Sequence, residues 1–151
     1  MRRALACAAV GLVLLTTACA RDATGTAGPT AGPTPDLTAE SERMVSELAG
    51  IESVTGADVR LRADATAGRQ VTVDAVTTAT EAPQQRAALE AVTEVGWHTT
   101  AFVPTEVRAT LVGPDGTTLD ARDLGFPRRG ADAAGLYAMF GAPAADEDWQ
   151  P

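Results

Sequence analysis

No lysine occurs in this chain of 151 residues: all 12 basic side chains are arginine, set against 20 acidic ones. Cysteine occurs twice and histidine once. Each scarcity excludes a class of chemistry. Nucleophilic catalysis needs a base, and His98 is the sole histidine, with no G-x-S-x-G stretch for it to serve. In Gly96-Trp97-His98-Thr99-Thr100 it reads as a solvated loop residue just past a helix. No second histidine is present to build a metal site, and the acidic run Asp146-Glu147-Asp148 lies in a tail rather than a cage. Asp115-Gly116 marks a turn without the alternating acids of a calcium loop, and phosphate-cradling glycine loops are missing. The acidic balance, −8 overall, repels nucleic acid and gives no general pull toward anionic lipid.

A long hydrophobic run is lacking too. Met1-Arg2-Arg3 is followed by an uncharged stretch from Ala4 to Leu15, 12 positions. As a helix these would span roughly 18 Å, against a bilayer core of about 30 Å. A positive start, a short apolar middle and the small residues Thr16-Thr17-Ala18-Cys19-Ala20 give the layout of an export signal rather than a membrane span.

Two cleavage sites fit that layout. Ala18-Cys19-Ala20 reads as an A-x-A site, with the cut after Ala20 and loss of the cysteine. Leu15-Thr16-Thr17-Ala18-Cys19 resembles the lipobox of bacterial lipoproteins, with Thr16 three places before the cysteine and the bulky Leu15 one step further back. That resemblance implies that the Cys19 thiol is alkylated by diacylglycerol and becomes the new N-terminus. Two acyl chains, at about 0.8 kcal/mol per buried methylene, hold such an anchor stably where one chain would slip off. Cys7 would leave with the signal, so no disulfide is expected. Abundant alanine and arginine-only basicity, together with this segment, resemble the small lipoproteins of actinobacteria. The implied location is the outer leaflet of the cytoplasmic membrane, facing outward. Cleavage before Cys19 leaves 133 residues with 10 basic and 20 acidic side chains, a formal charge of −10.

Beyond residues 1–18, the segment 19–36 is a tether. Arg21 to Asp36 repeats Thr-Ala-Gly-Pro and carries almost no large apolar residue, so it cannot bury enough surface to fold. Organisation returns over 37–126. Leu37, Met44, Val45, Leu48 and Ile51 recur at helical spacing, with Asp36 or Thr38 as cap. Ala57, Val59, Leu61 and Ala63 then alternate with Asp58, Arg60, Arg62 and Asp64, and Val71, Val73 and Ala75 repeat the inward pattern after a turn. Pro83 opens a second helix striped by Ala88, Leu89, Val92 and Val95, followed by a strand with Val107, Ala109 and Leu111 inward. The turn Pro114-Asp115-Gly116 leads to Leu119 and Ala121. A shift of 48 lays Val59-Arg60 on Val107-Arg108, Gly68 on Gly116 and Val71 on Leu119, as in two related helix-hairpin units.

Helix, two strands, helix, two strands predicts an α+β two-layer sandwich. Its sheet would be mostly antiparallel and four-stranded, with two helices on one face. The order is similar to a ferredoxin-like domain or the small periplasmic module called BON, a likeness of fold that implies no activity. Residues 127–151 hold an apolar cluster, Leu136, Tyr137, Met139 and Phe140, read as a short closing helix or a docking segment, and an acidic tail read as disordered.

Arg60, Arg62, Arg108 and Arg122 fall on the outward face of the sheet with Asp74 and Asp120. They read as cross-strand ion pairs on a wet surface or as a polar face that grips an anionic group of an envelope protein or cell-wall ligand. Trp97 and Phe102 read as core plugs. The chain is thus expected to be a lipid-anchored, non-catalytic envelope protein without cofactor or metal. The alternative is a carrier of an apolar ligand between helices and sheet.

Overall fold

The computed structural model describes residues 34–66 and 68–151. The export signal, Cys19 and the tether up to residue 33 lie outside the described residues. The first helix, α1 (Leu37–Leu48), starts where Asp36 Oδ1 accepts the backbone N–H of Thr38 and Ala39 at 3.0 and 3.1 Å, as its acidic side chain suits a helix start. Strands β1 (Val54–Asp64) and β2 (Gly68–Thr77) form a long antiparallel hairpin with Val59 opposite Val73. Gly68 holds φ +81° at the turn, and Gly116 holds the same value at the matching turn 48 residues on. A side chain is strained there, which accounts for glycine at both places.

Helix α2 (Ala82–Trp97) then crosses the sheet and returns the chain to β3 (Glu106–Val112). Because the crossover lies on one face and delivers β3 beside β2, the two strands run parallel, from Gln70↔Glu106 to Val76↔Val112. Three of the four strand pairings are antiparallel, as expected, but the sheet is mixed, with a parallel pair at its centre, and has five strands where four were expected. Strand β4 (Thr118–Asp120) pairs antiparallel with β3 through Thr110↔Asp120. A 3₁₀ turn (Ala121–Leu124) leaves the sheet, and β5 (Ala131–Asp132) rejoins the same edge of β3 through Glu106↔Asp132. The fifth strand escaped prediction because it is two residues long and has no periodicity of its own.

The helices pack against the apolar face of the sheet. Met44 and Leu48 of α1 and Leu89 and Val92 of α2 are fully buried, as are Val71, Val73, Val107 and Leu111 beneath them. Helix and sheet approach closely at Gly96, where an added Cβ would lie 2.7 Å from Val107 Cγ1 and 3.6 Å from both Val71 and Val73. Trp97 and Phe102 are core residues, 0% and 7% exposed.

A third helix, α3 (Ala133–Phe140), opens on Asp132, whose Oδ1 accepts Gly135 N–H at 2.8 Å, and buries Leu136. The acidic tail is packed rather than disordered. Trp149 stacks edge-on against Trp97 and Tyr137, with ring centroids 5.6 and 5.9 Å apart, and Trp97 Nε1–H donates to Gly141 O at 2.9 Å. The tail's composition is polar enough for disorder, but Trp149, with Ala145 and buried Pro143, supplies the apolar area that holds it. The described residues belong to one compact unit.

Candidate functional site

Side chains alternate across a strand, so every residue between two core positions of β1 to β4 points away from the helices. On that outer face Thr72 of β2 lies opposite Arg108 of β3, and Thr110 of β3 lies opposite Asp120 of β4. Between β4 and β5 the chain leaves the sheet. Asp120 accepts the backbone N–H of Arg122 at 2.9 Å while Asp123 accepts that of Asp120 at 2.8 Å, a reciprocal cap that ends β4. Gly125, with φ +100°, and buried Phe126 then turn Pro127-Arg128-Arg129-Gly130 back over the outer face. Gly130 sits against the Glu106 carboxylate, where any Cβ would collide with Oε1.

The result is a half-open groove of about 1010 Å³ floored by β3 and its neighbours and walled by the 127–130 segment. Its charges are Arg108, Arg122, Arg128 and Arg129 against Glu106, Asp120 and Asp132, and the hydroxyls of Thr72, Thr105, Thr110 and Thr118 line it as well. No aromatic ring lines it.

Two of the arginines are fixed. Arg108 donates Nε and Nη2 to the Glu106 oxygens at 2.9 and 3.2 Å, and Gln70 Nε2 braces the same carboxylate at 3.1 Å. Arg122 donates Nε and Nη2 to the Asp120 oxygens at 2.9 and 2.8 Å. The hydrogen bonds to Glu106 and to Asp120 raise the pKa of their arginines, and the Arg122 guanidinium lowers that of Asp120 against the opposing effect of burial. Asp120 is therefore held ionised. A general acid requires the reverse shift. Arg129 stands 3.7 Å from Asp120, and Arg128 has no acidic partner among the described residues.

Arg108 and Arg122 thus meet in the groove as two of the four arginines expected on this face. Arg60 and Arg62 do not line it; they belong to β1, beyond β2. Arg60 forms surface ion pairs with Asp58 at 3.2 Å and with Asp74, and Arg62 lies opposite Gln70. Asp74 and Asp120 share a row two strand steps apart, separated by β3. Arg128 and Arg129 were missed by a search for strand periodicity; a dibasic pair between proline and glycine is the signal that would have marked an exposed cationic turn. His98 is the half-buried residue that follows α2, and its backbone N–H closes the helix on Glu94 O. Among the described residues no group of three His, Cys, Asp or Glu side chains is placed to hold a metal ion.

No family model, curated protein or solved structure gives a match. The groove's chemistry has to be read from its own side chains.

Proposed function

We propose that this chain is a lipid-anchored, non-catalytic envelope protein whose α+β domain binds an anionic envelope partner in the groove between β3 and the 127–130 segment. The observation that carries this reading is a local excess of guanidinium, four arginines to three carboxylates, in a chain whose acidic side chains outnumber its basic ones by 20 to 12. Charge concentrated against the overall sign, on a concave surface, attracts an anion that the rest of the molecule repels. The lipobox-like segment ending at Cys19 and the Gly/Pro/Thr/Ala-rich tether that follows support display of the domain at the outer leaflet of the cytoplasmic membrane. In this reading Cys19 carries the attachment; no helix among the described residues is long and apolar enough to cross a membrane. Element order supports a BON-like assignment of the fold, with α2 as crossover between the parallel strands.

The alternative, a carrier of an apolar ligand between helices and sheet, has less support. Gly96 and the valines beneath it are already in contact, and Met44, Leu48, Leu89 and Leu111 fill the same layer. Low-dielectric space for a ligand is not what that packing offers.

The test is cross-linking of the full chain in its native envelope, comparing wild type with the Arg128→Glu/Arg129→Glu variant. Loss of a specific adduct in the variant is expected; an unchanged adduct rules the groove out as the contact. Cys19→Ser should release the protein to the medium, whereas retention in the membrane fraction counts against the anchor.

A further inference from the structure

We infer that the groove takes an acidic saccharide: a ligand that combines several hydroxyls with a carboxylate or phosphate. This rests on the groove being the contact surface and goes further by naming what it recognises. The argument starts from the donors that the ion pairs leave over. Guanidinium carries five N–H groups, and the bidentate pairs of Arg108 and Arg122 engage Nε and Nη2. Nη1 of each has no acceptor among the described residues, although both side chains line the groove. These arginines are neutralised, braced and still able to donate. Such groups suit neutral oxygens, since they recognise geometry without adding net charge.

Acceptors stand beside them. The Glu106 and Asp120 carboxylates have lone pairs beyond those given to their arginines, and the hydroxyls of Thr72 and Thr110 both donate and accept. A sugar hydroxyl is likewise donor and acceptor at once. A pair of adjacent hydroxyls therefore matches a guanidinium and a carboxylate placed side by side, as they are at Glu106–Arg108 and Asp120–Arg122. An extended acidic peptide matches poorly, because its carboxylate side chains offer acceptors alone and leave the Glu106 and Asp120 lone pairs without a hydroxyl donor.

The anionic half of the ligand is assigned by Arg128 and Arg129. They lie on the wall, Arg129 is 78% exposed, and its nearest carboxylate is 3.7 Å away. Arg128 has no acidic partner among the described residues. An incoming carboxylate or phosphate would complete both without breaking an existing bidentate pair. With no aromatic ring in the lining, recognition depends on hydrogen bonds and charge, and not on stacking against a sugar face.

Titration calorimetry on the full-length chain in neutral detergent tests this with three probes of matched length: oligogalacturonate, whose rings each carry a carboxylate; neutral maltooligosaccharide; and poly-L-glutamate. Oligogalacturonate is expected to bind, with both comparators at least about tenfold weaker, since each loses a class of charge-assisted or hydroxyl contact. Arg128→Ala should weaken oligogalacturonate about tenfold. Thr72→Val with Thr110→Val, substitutions that keep strand preference, should weaken oligogalacturonate and leave poly-L-glutamate unchanged. Equal binding of poly-L-glutamate would overturn the saccharide assignment, and equal binding of maltooligosaccharide would overturn the anionic one. No binding of oligogalacturonate would overturn both. In each case the cross-linking comparison of the Arg128→Glu/Arg129→Glu variant separately reports whether the groove is the contact surface.

Discussion

Replacing Glu40 by glutamine tests the tie between α1 and the loop that follows α2. Glu40 is 8% exposed, and its carboxylate is surrounded by donors. Arg43 Nε and Nη2 reach it at 3.0 and 2.9 Å, the Thr99 and Thr100 hydroxyls both at 2.8 Å, and the Thr100 N–H at 2.6 Å. Glutamine preserves the shape but turns one oxygen into a donor, so buried N–H or O–H groups would face another donor. Burial alone would raise the pKa of Glu40. The Arg43 guanidinium, the Thr100 N–H and the two hydroxyls outweigh it and lower the value from 4.5 to about 2. At roughly 1.4 kcal/mol per unit, that shift corresponds to an upper figure near 3 kcal/mol. Arg43 is 41% exposed, and water screens its share. We therefore expect Glu40→Gln to cost about 2 kcal/mol at neutral pH.

The pH dependence separates this account from a simple packing defect. A carboxyl whose folded pKa lies below its unfolded one stabilises the fold above the unfolded value, and that contribution is lost as pH falls through the folded value. For Glu40 the window runs from about 4.5 down to about 2. Urea denaturation of wild type and Glu40→Gln across that window should show the gap between them closing as the pH approaches 2. A gap of constant size would refute the ionised network and leave only a shape effect.

Three further substitutions address the packing. Gly96→Ala forces a Cβ to within 2.7 Å of Val107 Cγ1 and should destabilise by about 1 to 3 kcal/mol in chemical denaturation, despite alanine's better helix propensity. Trp149→Ala removes both edge-on ring contacts of the tail and should cost about 1 to 2 kcal/mol; an unmoved melting midpoint would mean that the tail is an unpacked appendage. Asp36→Ala deletes the cap of α1 and should cost about 1 kcal/mol, with Asp36→Ser recovering most of it in thermal melts.

The core was legible where burial is one-sided. Alternation alone marked Val71, Val73 and Ala75 and then Val107, Ala109 and Leu111 as inward, and all six are buried. Helical spacing marked Ala88, Leu89, Val92 and Val95 with the same outcome. Periodicity failed at Val45 of α1 and Ala63 of β1, which it marked as inward and which are exposed, and also where the element is too short to show it, as in β5, or where one residue decides the outcome, as with Trp149. It was also silent on strand direction. A period of two is the same in parallel and antiparallel sheets, and only the adjacency of β2 and β3 across α2 sets their relative sense.

The site was legible to a different depth. Three times in this chain an acid stands two places before an arginine: Asp58 before Arg60, Glu106 before Arg108, and Asp120 before Arg122. All three pairs form ion pairs: in the first two a spacing of two keeps both side chains on one face of an extended strand, and in the third Arg122 opens the 3₁₀ turn that Asp120 caps. The local pattern therefore predicts the pairs but not their use. What distinguishes the second and third is the detour between β4 and β5, which lifts Arg128 and Arg129 over β3 and turns a flat charged sheet into a groove. Asp58–Arg60, two strands away under no such wall, remains a surface pair held to Asp74. Exchanging Arg60 for glutamine should thus leave oligogalacturonate binding by the full chain unchanged, whereas exchanging Arg108 should weaken it; equal losses in the two variants would mean that overall charge, and not the groove, governs attraction.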